Sequence, residues 1–181
     1  MKELSLNILD ITENSVKAGA TLTQINLEET DETVTITIKD DGCGMSEEIL
    51  KEVTNPFYTT RTTRKVGLGI PLLTLAAEQT GGNVKITSST DSKNHGTTVV
   101  ALFFKNHLDF TPLGDIKATV VTLIQGHPNT DFSFIHKTNN GEVMLDTREL
   151  RSILEGVPLD NYEVIKWISE YLEEQYQLLL K

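Results

Sequence analysis

Four groups of polar and glycine residues in the N-terminal part of the chain have the types and spacing to do chemistry. Asn7, Asp10, Asn14 and Lys17 are spaced 3, 4 and 3 apart, so on a helix they share one face. An amide, a carboxylate and an ammonium so arranged suit a hydrated Mg²⁺ and phosphate oxygens, because Mg²⁺ takes oxygen ligands and keeps most of its waters. Lys39-Asp40-Asp41-Gly42-Cys43-Gly44-Met45 ends a β-rich run on carboxylates and then turns on two glycines, which permit positive φ and close backbone approach. A buried carboxylate at Asp40 can accept a hydrogen bond from an exocyclic amine, and adenine carries one. Pro56-Phe57-Tyr58-Thr59-Thr60-Arg61 leads through Arg64 and Lys65 to Gly67-Leu68-Gly69 at the start of an apolar helical run. Backbone N–H groups at such a start make an anion site. Gly96-Thr97-Thr98 opens a further strand, where a hydroxyl can donate and accept. Each group alone also suits a plain structural role: the wet face of a helix, a strand-to-helix turn, a solvated basic loop, a β-favouring threonine. Their order along one chain matters more than any one of them.

The elements that must position these groups follow from periodicity. Leu4, Ile8, Ile11, Ser15 and Ala18 form one helical stripe, predicting a helix over 2–18 that stops at Gly19. Residues 21–28 and 33–39 alternate and are rich in Thr, Ile and Val, predicting two strands around a turn at Thr30-Asp31-Glu32. Ser46 is the expected N-cap of a short helix running through Val53. Residues 54–66 are polar and aperiodic, hence a loop. Residues 70–80 form a helix with Pro71 tolerated in its first turn and Gly81-Gly82 at its end. Strands are expected over 83–89 and 96–105.

The pattern changes near His107, so the chain divides into residues 1–106, which hold the site, and 107–181, a small α/β domain or packed extension of unassigned role. A helix is expected over 113–126, then a hairpin whose strands flank Asn139-Asn140-Gly141. Two closing helices carry Asp146 with Glu149 and Asp160 with Glu163, each spaced as a cap and its acidic third position. Ile165, Ile168, Leu172 and Leu179 share a face of the last one. Phe132, Phe134, Trp167 and Tyr171 are expected in the core.

Composition narrows the function classes. With 16 Lys and Arg against 26 Asp and Glu the net charge is −10, which repels duplex nucleic acid and disfavours a DNA clamp. One cysteine excludes an internal disulfide. No apolar run reaches the ~20 residues of a membrane span, and Asp10 and Glu13 interrupt any signal-peptide core, so a cytoplasmic location without membrane contact is expected.

Taken in order, the motifs resemble the ATP-binding domain of the GHKL superfamily: gyrase-type topoisomerases, the heat-shock chaperone, histidine kinases and the mismatch-repair ATPase. The likeness to histidine kinase catalytic domains is the fullest. Asn14-Ser15-Val16-Lys17 resembles their Asn-Ala-x-Lys box, Asp40-Asp41-Gly42-Cys43-Gly44 fits Asp-x-Gly-x-Gly, and Pro56 to Arg61 resembles Pro-Phe-Phe-Thr-Thr-Lys. Gly67-Leu68-Gly69-Ile70 fits Gly-Leu-Gly-Leu, and Gly96-Thr97 fits the final Gly-Thr box. The resemblance implies an α+β fold: a two-layer α/β sandwich whose mixed, largely antiparallel sheet is covered by helices on one face, with a small α/β C-terminal region. It implies ATP and Mg²⁺ as ligands. Asn14 would hold the metal, with Lys17 beside it. Asp40 would bind the adenine amine with Thr97 in support, and Gly42, Gly44 and Met45 would shape the pocket. Gly67, Leu68 and Gly69 would offer N–H groups to phosphates, and Thr59, Thr60 and Arg61 would belong to a lid.

Two departures carry consequences. ATP-hydrolysing members place Glu four residues before the Asn as general base; here that candidate is Asp10, one methylene shorter. The sequence opens on the Asn-box helix, so the phospho-acceptor helix pair of histidine kinases is expected to be missing. None of His95, His107, His127 and His136 is followed by an acidic residue, and all four are expected to be surface or structural. The leading expectation is a stand-alone kinase or ATPase module acting on a partner protein that brings the acceptor. The alternative is a non-catalytic regulator whose lid responds to ATP or ADP and switches partner binding.

Overall fold

The structure, a computed structural model, describes residues 3–54 and 68–180. The expected loop beyond Thr54, with Thr59, Thr60, Arg61 and Gly67, lies outside the described residues. In order the elements are α1 (Leu4–Lys17), β1 (Leu22–Glu29), β2 (Thr33–Asp40), α2 (Glu47–Thr54), α3 (Gly69–Gln79), β3 (Asn83–Ser89), β4 (Gly96–Phe104), α4 (Ile116–Gly126), β5 (Asp131–Thr138), β6 (Gly141–Asp146), α5 (Thr147–Leu154) and α6 (Tyr162–Leu179).

The six strands form one sheet in the order β3-β4-β2-β1-β5-β6. Every neighbouring pair is antiparallel except β1 and β5, which run parallel. The sheet is therefore mixed and largely antiparallel, as the resemblance implies. Alternation along each strand sends one set of side chains to the helix-covered face. The register aligns that set across the whole sheet: Ile86, Val99, Ile38, Ile25, Phe134 and Leu145 are successive cross-strand partners. The opposite face carries Thr33, Thr35, Thr37 and Lys39 from β2, none of them buried.

Residues beyond 107 extend this sheet rather than building another. β5 docks on β1 with Ile25 opposite Phe134, and the buried apolar residues of both halves make one continuous core. The linkage also reaches the opening helix. α1 has no side-chain cap; the N–H groups of Leu4 and Ser5 donate to the carbonyls of Pro112 and Leu113 at 2.9 and 2.8 Å. That use of residues 112 and 113 explains why α4 begins at Ile116 and not at 113. Asp115 caps it by accepting from the Ala118 N–H at 2.9 Å.

Three further expectations change. The cap of α6 is Asn161, not Asp160, and accepts from the Glu163 N–H at 3.0 Å. Asp146 does cap α5, yet its carboxylate takes the Arg148 N–H and the Arg148 guanidinium instead of entering a reciprocal box with Glu149. Trp167 is half-exposed, because α6 turns Val164, Ile168 and Leu172 inward and leaves Trp167 beside that stripe, stacked on Tyr171 at 5.2 Å. Phe132 and Phe134 are buried as expected.

Candidate functional site

A cavity of about 340 Å³ opens where α1, the C-terminal end of β2 and the start of β4 meet, with Ile70 of α3 on its wall. It is lined by Asn14, Lys17, Asp40, Gly44, Met45 and Thr97, residues that lie up to 83 positions apart in sequence (97 minus 14), and by apolar side chains that include Ile11, Ile38, Ile70 and Val99. That volume falls within the ordinary range of small-ligand sites, about 300–1,000 Å³. A slot with aliphatic walls and a carboxylate at its end suits a flat ring bearing a donor amine.

Asp40 is the last residue of β2, and the strand's alternation places it on the core face. A buried carboxylate needs hydrogen bonds, since its desolvation is otherwise costly. Oδ1 accepts from the N–H groups of Gly42 at 2.9 Å and Thr97 at 3.2 Å, and Oδ2 accepts from the Ser15 hydroxyl at 2.7 Å. A carboxylate offers about four lone-pair sites. Three are used, so Oδ2 retains one acceptor position. The next residue serves the frame. Asp41 accepts from the Thr21 and Leu22 N–H groups at 2.8 and 2.9 Å and from the Thr21 hydroxyl, tying the start of β1 to the turn. Burial raises its carboxyl, but these hydrogen bonds outweigh burial and hold it below the usual 3.8.

The turn is packed tightly against the neighbouring loop. Gly44 has φ +72°, and a Cβ there would lie 1.9 Å from the Ser89 carbonyl oxygen. Gly96 lies so near β2 that a Cβ would stand 2.0 Å from the Asp40 carbonyl oxygen. Behind the turn, His95 donates from Nδ1 to the Gly42 carbonyl at 2.7 Å. The Ser88 hydroxyl oxygen accepts from the Met45 N–H at 2.8 Å and lies 2.8 Å from the Thr97 hydroxyl. Thr97 is thereby held beside Asp40, its hydroxyl paired with that of Ser88, whose own O–H donates to the Gly96 carbonyl at 3.1 Å.

Not every candidate joins the cavity. Gly42 contributes through its N–H to Asp40 rather than as lining. Asp10 is exposed and does not line the cavity; it lies against α3, where a Cβ on Gly69 would approach the Asp10 Cβ to 3.1 Å. Leu68 precedes α3 and is 60% exposed, and α3 has no side-chain cap. Asn7 leaves the polar stripe altogether: it is 1% exposed, and its amide has no hydrogen-bond partner among the described residues. Both α3 and α4 pack on α1, so the buried arc of α1 is wider than its apolar stripe.

Ser15 is the site residue that sequence reasoning missed. It sits on the apolar stripe, and its hydroxyl gains a purpose only once Asp40 is placed opposite. Its position directly after Asn14 was the available signal. Among the described residues no group of three or more His, Cys, Asp or Glu gathers as a metal cluster. Among the described residues no helix is long and apolar enough to cross a membrane.

Comparison with known proteins agrees with this geometry. Sporulation kinase C of Bacillus subtilis is 32% identical over 88 residues, 49% of this chain and 20% of that protein. The tetrathionate sensor histidine kinase TtrS of Salmonella typhimurium is 30% identical over 97 residues, 54% of this chain and 16% of that protein. The match thus spans a fifth or less of these relatives' length. Among solved structures, the Aquifex aeolicus MutL ATPase domain complexed with ADP superposes with a TM-score of 0.51 at 12% identity, covering 100% of this chain and 98% of that one. The N-terminal domain of a DNA repair protein gives 0.52 at 20% identity, covering 81% of this chain and 53% of that one. These two likenesses concern the fold. The family model described as histidine kinase-, DNA gyrase B-, and HSP90-like ATPase matches residues 2–109. All four motif groups lie within that match and three of them meet at one cavity, so the chain belongs to the histidine kinase-, DNA gyrase B- and HSP90-like ATPase family.

Proposed function

We propose that the cavity binds ATP with Mg²⁺ and that the chain works as a kinase or ATPase module on a partner protein that supplies the phospho-acceptor. The observation that carries the reading is the free acceptor position on Asp40 Oδ2, in the same apolar slot as Asn14 and Lys17. Adenine's amine meets Asp40, and the Thr97 hydroxyl supports it. Asn14 offers an amide oxygen to Mg²⁺ whose other ligands are phosphate oxygens and water, a donor set this hard cation accepts. Lys17 adds positive charge near the phosphates, and the uncapped start of α3 directs N–H groups outward. The kinases among the relatives support a phosphoryl-transfer role, and the net charge of −10 speaks against nucleic acid as the partner. Dependence on ATP favours the cytoplasm.

The test is nucleotide binding by calorimetry with and without Mg²⁺. Asp40→Asn is expected to lose preference for adenine over guanine nucleotides. Asn14→Ala is expected to keep adenine binding and lose the metal dependence. Equal binding by wild type and Asp40→Asn would overturn the assignment.

One observation favours the regulatory alternative: Asp10, the sole candidate base on α1, is outside the cavity lining. Label transfer from ATP to co-encoded proteins, or phosphate release, separates the two. If wild type shows either and Asp10→Asn lowers it by about 10²-fold or more, the enzyme reading stands. Absence of both, with nucleotide-dependent partner binding, favours the regulator.

A further inference from the structure

The end of the sheet remote from the cavity holds a chain of titratable groups around one buried histidine that nucleotide binding does not use. His136 of β5 is 3% exposed and lies in the buried cross-strand row between Leu27 and Val143. Its Nε2 is 3.1 Å from Oε2 of Glu29, whose Oε1 accepts from Lys105 Nζ at 2.7 Å. Its Nδ1 is 2.7 Å from the Tyr176 hydroxyl on α6. A carboxylate only accepts, so Nε2 carries the hydrogen. Burial lowers the imidazole below its ordinary 6.5 and favours the neutral ring, whose bare Nδ1 accepts from the Tyr176 O–H. The imidazole is neutral, and it joins α6 to β1 through one directed chain of hydrogen bonds.

His136 and Tyr176 stand between two cavities, each lined by both residues. The first, about 340 Å³, brings Glu29, Asp31 and Lys105 towards the pair; the second, about 420 Å³, brings Glu3, Asp115 and Lys117. Lys117 is engaged by Glu173 of α6. Protons can therefore reach the imidazole from either side.

We propose that His136 is a proton-operated latch: the neutral ring holds the last turns of α6 on the sheet, and its protonation releases them. A proton on Nδ1 turns the Tyr176 contact donor-to-donor unless the hydroxyl rotates. That hydroxyl has no second partner among the described residues. At the other nitrogen, the single half-buried Glu29 carboxylate would be shared between two cations, Lys105 and the buried imidazolium. Apart from this contact, polar ties between the last turns and the sheet's strands and hairpin are sparse, the Asn140 amide donating to the Leu179 carbonyl at 3.4 Å. Burial holds the imidazole below its ordinary 6.5, Lys105 adds to that fall and Glu29 opposes it. The sign follows. The folded chain binds fewer protons at His136 than the unfolded one, so the latch's contribution is complete above 6.5 and is lost as pH falls below it.

The experiment follows the His136 ring by NMR alongside hydrogen exchange of the α6 amides, corrected for intrinsic rates, from about pH 7.5 to about pH 4.5. In wild type, protection over residues 172–179 is expected to fall by up to about tenfold per pH unit below about pH 6.5 and to level off once the folded ring itself titrates. His136→Gln is expected to show no such step. Tyr176→Phe, which keeps the ring, is expected to lose up to about tenfold in protection at about pH 7.5. Protection that stays level between about pH 6.5 and the ring's own titration, a fall retained in His136→Gln, or a ring that titrates at about 6.5 or above would each overturn the proposal.

Discussion

Asp40 illustrates how one residue's environment sets both its position and its remaining capacity. Two N–H groups and one hydroxyl fix the carboxylate and leave a single acceptor site on Oδ2, the one the proposed nucleotide reading uses. Ser15 supplies the only side-chain donor among them. Hydrogen bonds to charged groups are worth about 1.5–3 kcal/mol, and an orphaned buried carboxylate costs at least as much. Ser15→Ala is therefore expected to destabilise the fold by about 2 kcal/mol, read as a lower denaturant midpoint at unchanged slope. Ser15→Thr, which keeps the hydroxyl, is expected to recover most of that loss. An unchanged midpoint in the alanine variant would mean that the Ser15 bond to Asp40 contributes nothing net.

At the scale of elements, helix ends show where local pattern and structure part. Asp160 and Asn161 are both good cap residues, and sequence spacing prefers the first because Glu163 then falls at the third position. The chain bends so that Asn161 has ψ 136° and its side-chain oxygen meets the Glu163 N–H. Asn161→Ala is expected to cost about 1 kcal/mol and Asp160→Ala less than about 0.5. Thermal unfolding of the two variants measures the difference, and a larger loss for Asp160→Ala would reassign the cap. α1 shows the opposite arrangement. It has no cap of its own, and its first N–H groups are taken by carbonyls that lie more than a hundred residues later in the chain.

That long-range capping has a consequence for the molecule as a whole. β5 covers one edge of β1, Phe132 and Phe134 fill the core beneath it, and Pro112 and Leu113 close the start of the helix that carries Asn14. Deleting residues 107–181 would expose that edge and open the core. Losing even one buried phenylalanine costs about 3–5 kcal/mol, a large share of a typical 5–15 kcal/mol stability. Residues 1–106 alone are expected to lack a cooperative thermal transition and to bind nucleotide at least about tenfold more weakly. A truncated protein that melts cooperatively and binds like the full chain would show that the extension is dispensable to the site.

The strands were legible from composition alone, because alternating Thr, Ile and Val over 21–28 and 33–39 specify a two-faced ribbon whatever it pairs with. The motif groups were legible for a similar reason: glycines at a turn and polar residues at helical spacing are local constraints. Which of those polar residues face one another is not local. Asn7 and Asn14 share a helix face in sequence, yet packing by α3 and α4 buries the first and leaves the second at the cavity. Ser15 counts as one more position on an apolar stripe until β2 brings a carboxylate to it, and His136 is an unremarked histidine until β1 and α6 bring Glu29 and Tyr176 within hydrogen-bond reach. Backbone propensity acts between neighbours in sequence and is written there. Partners of buried polar groups are chosen by the register and packing of distant segments, so only the tertiary structure decides them.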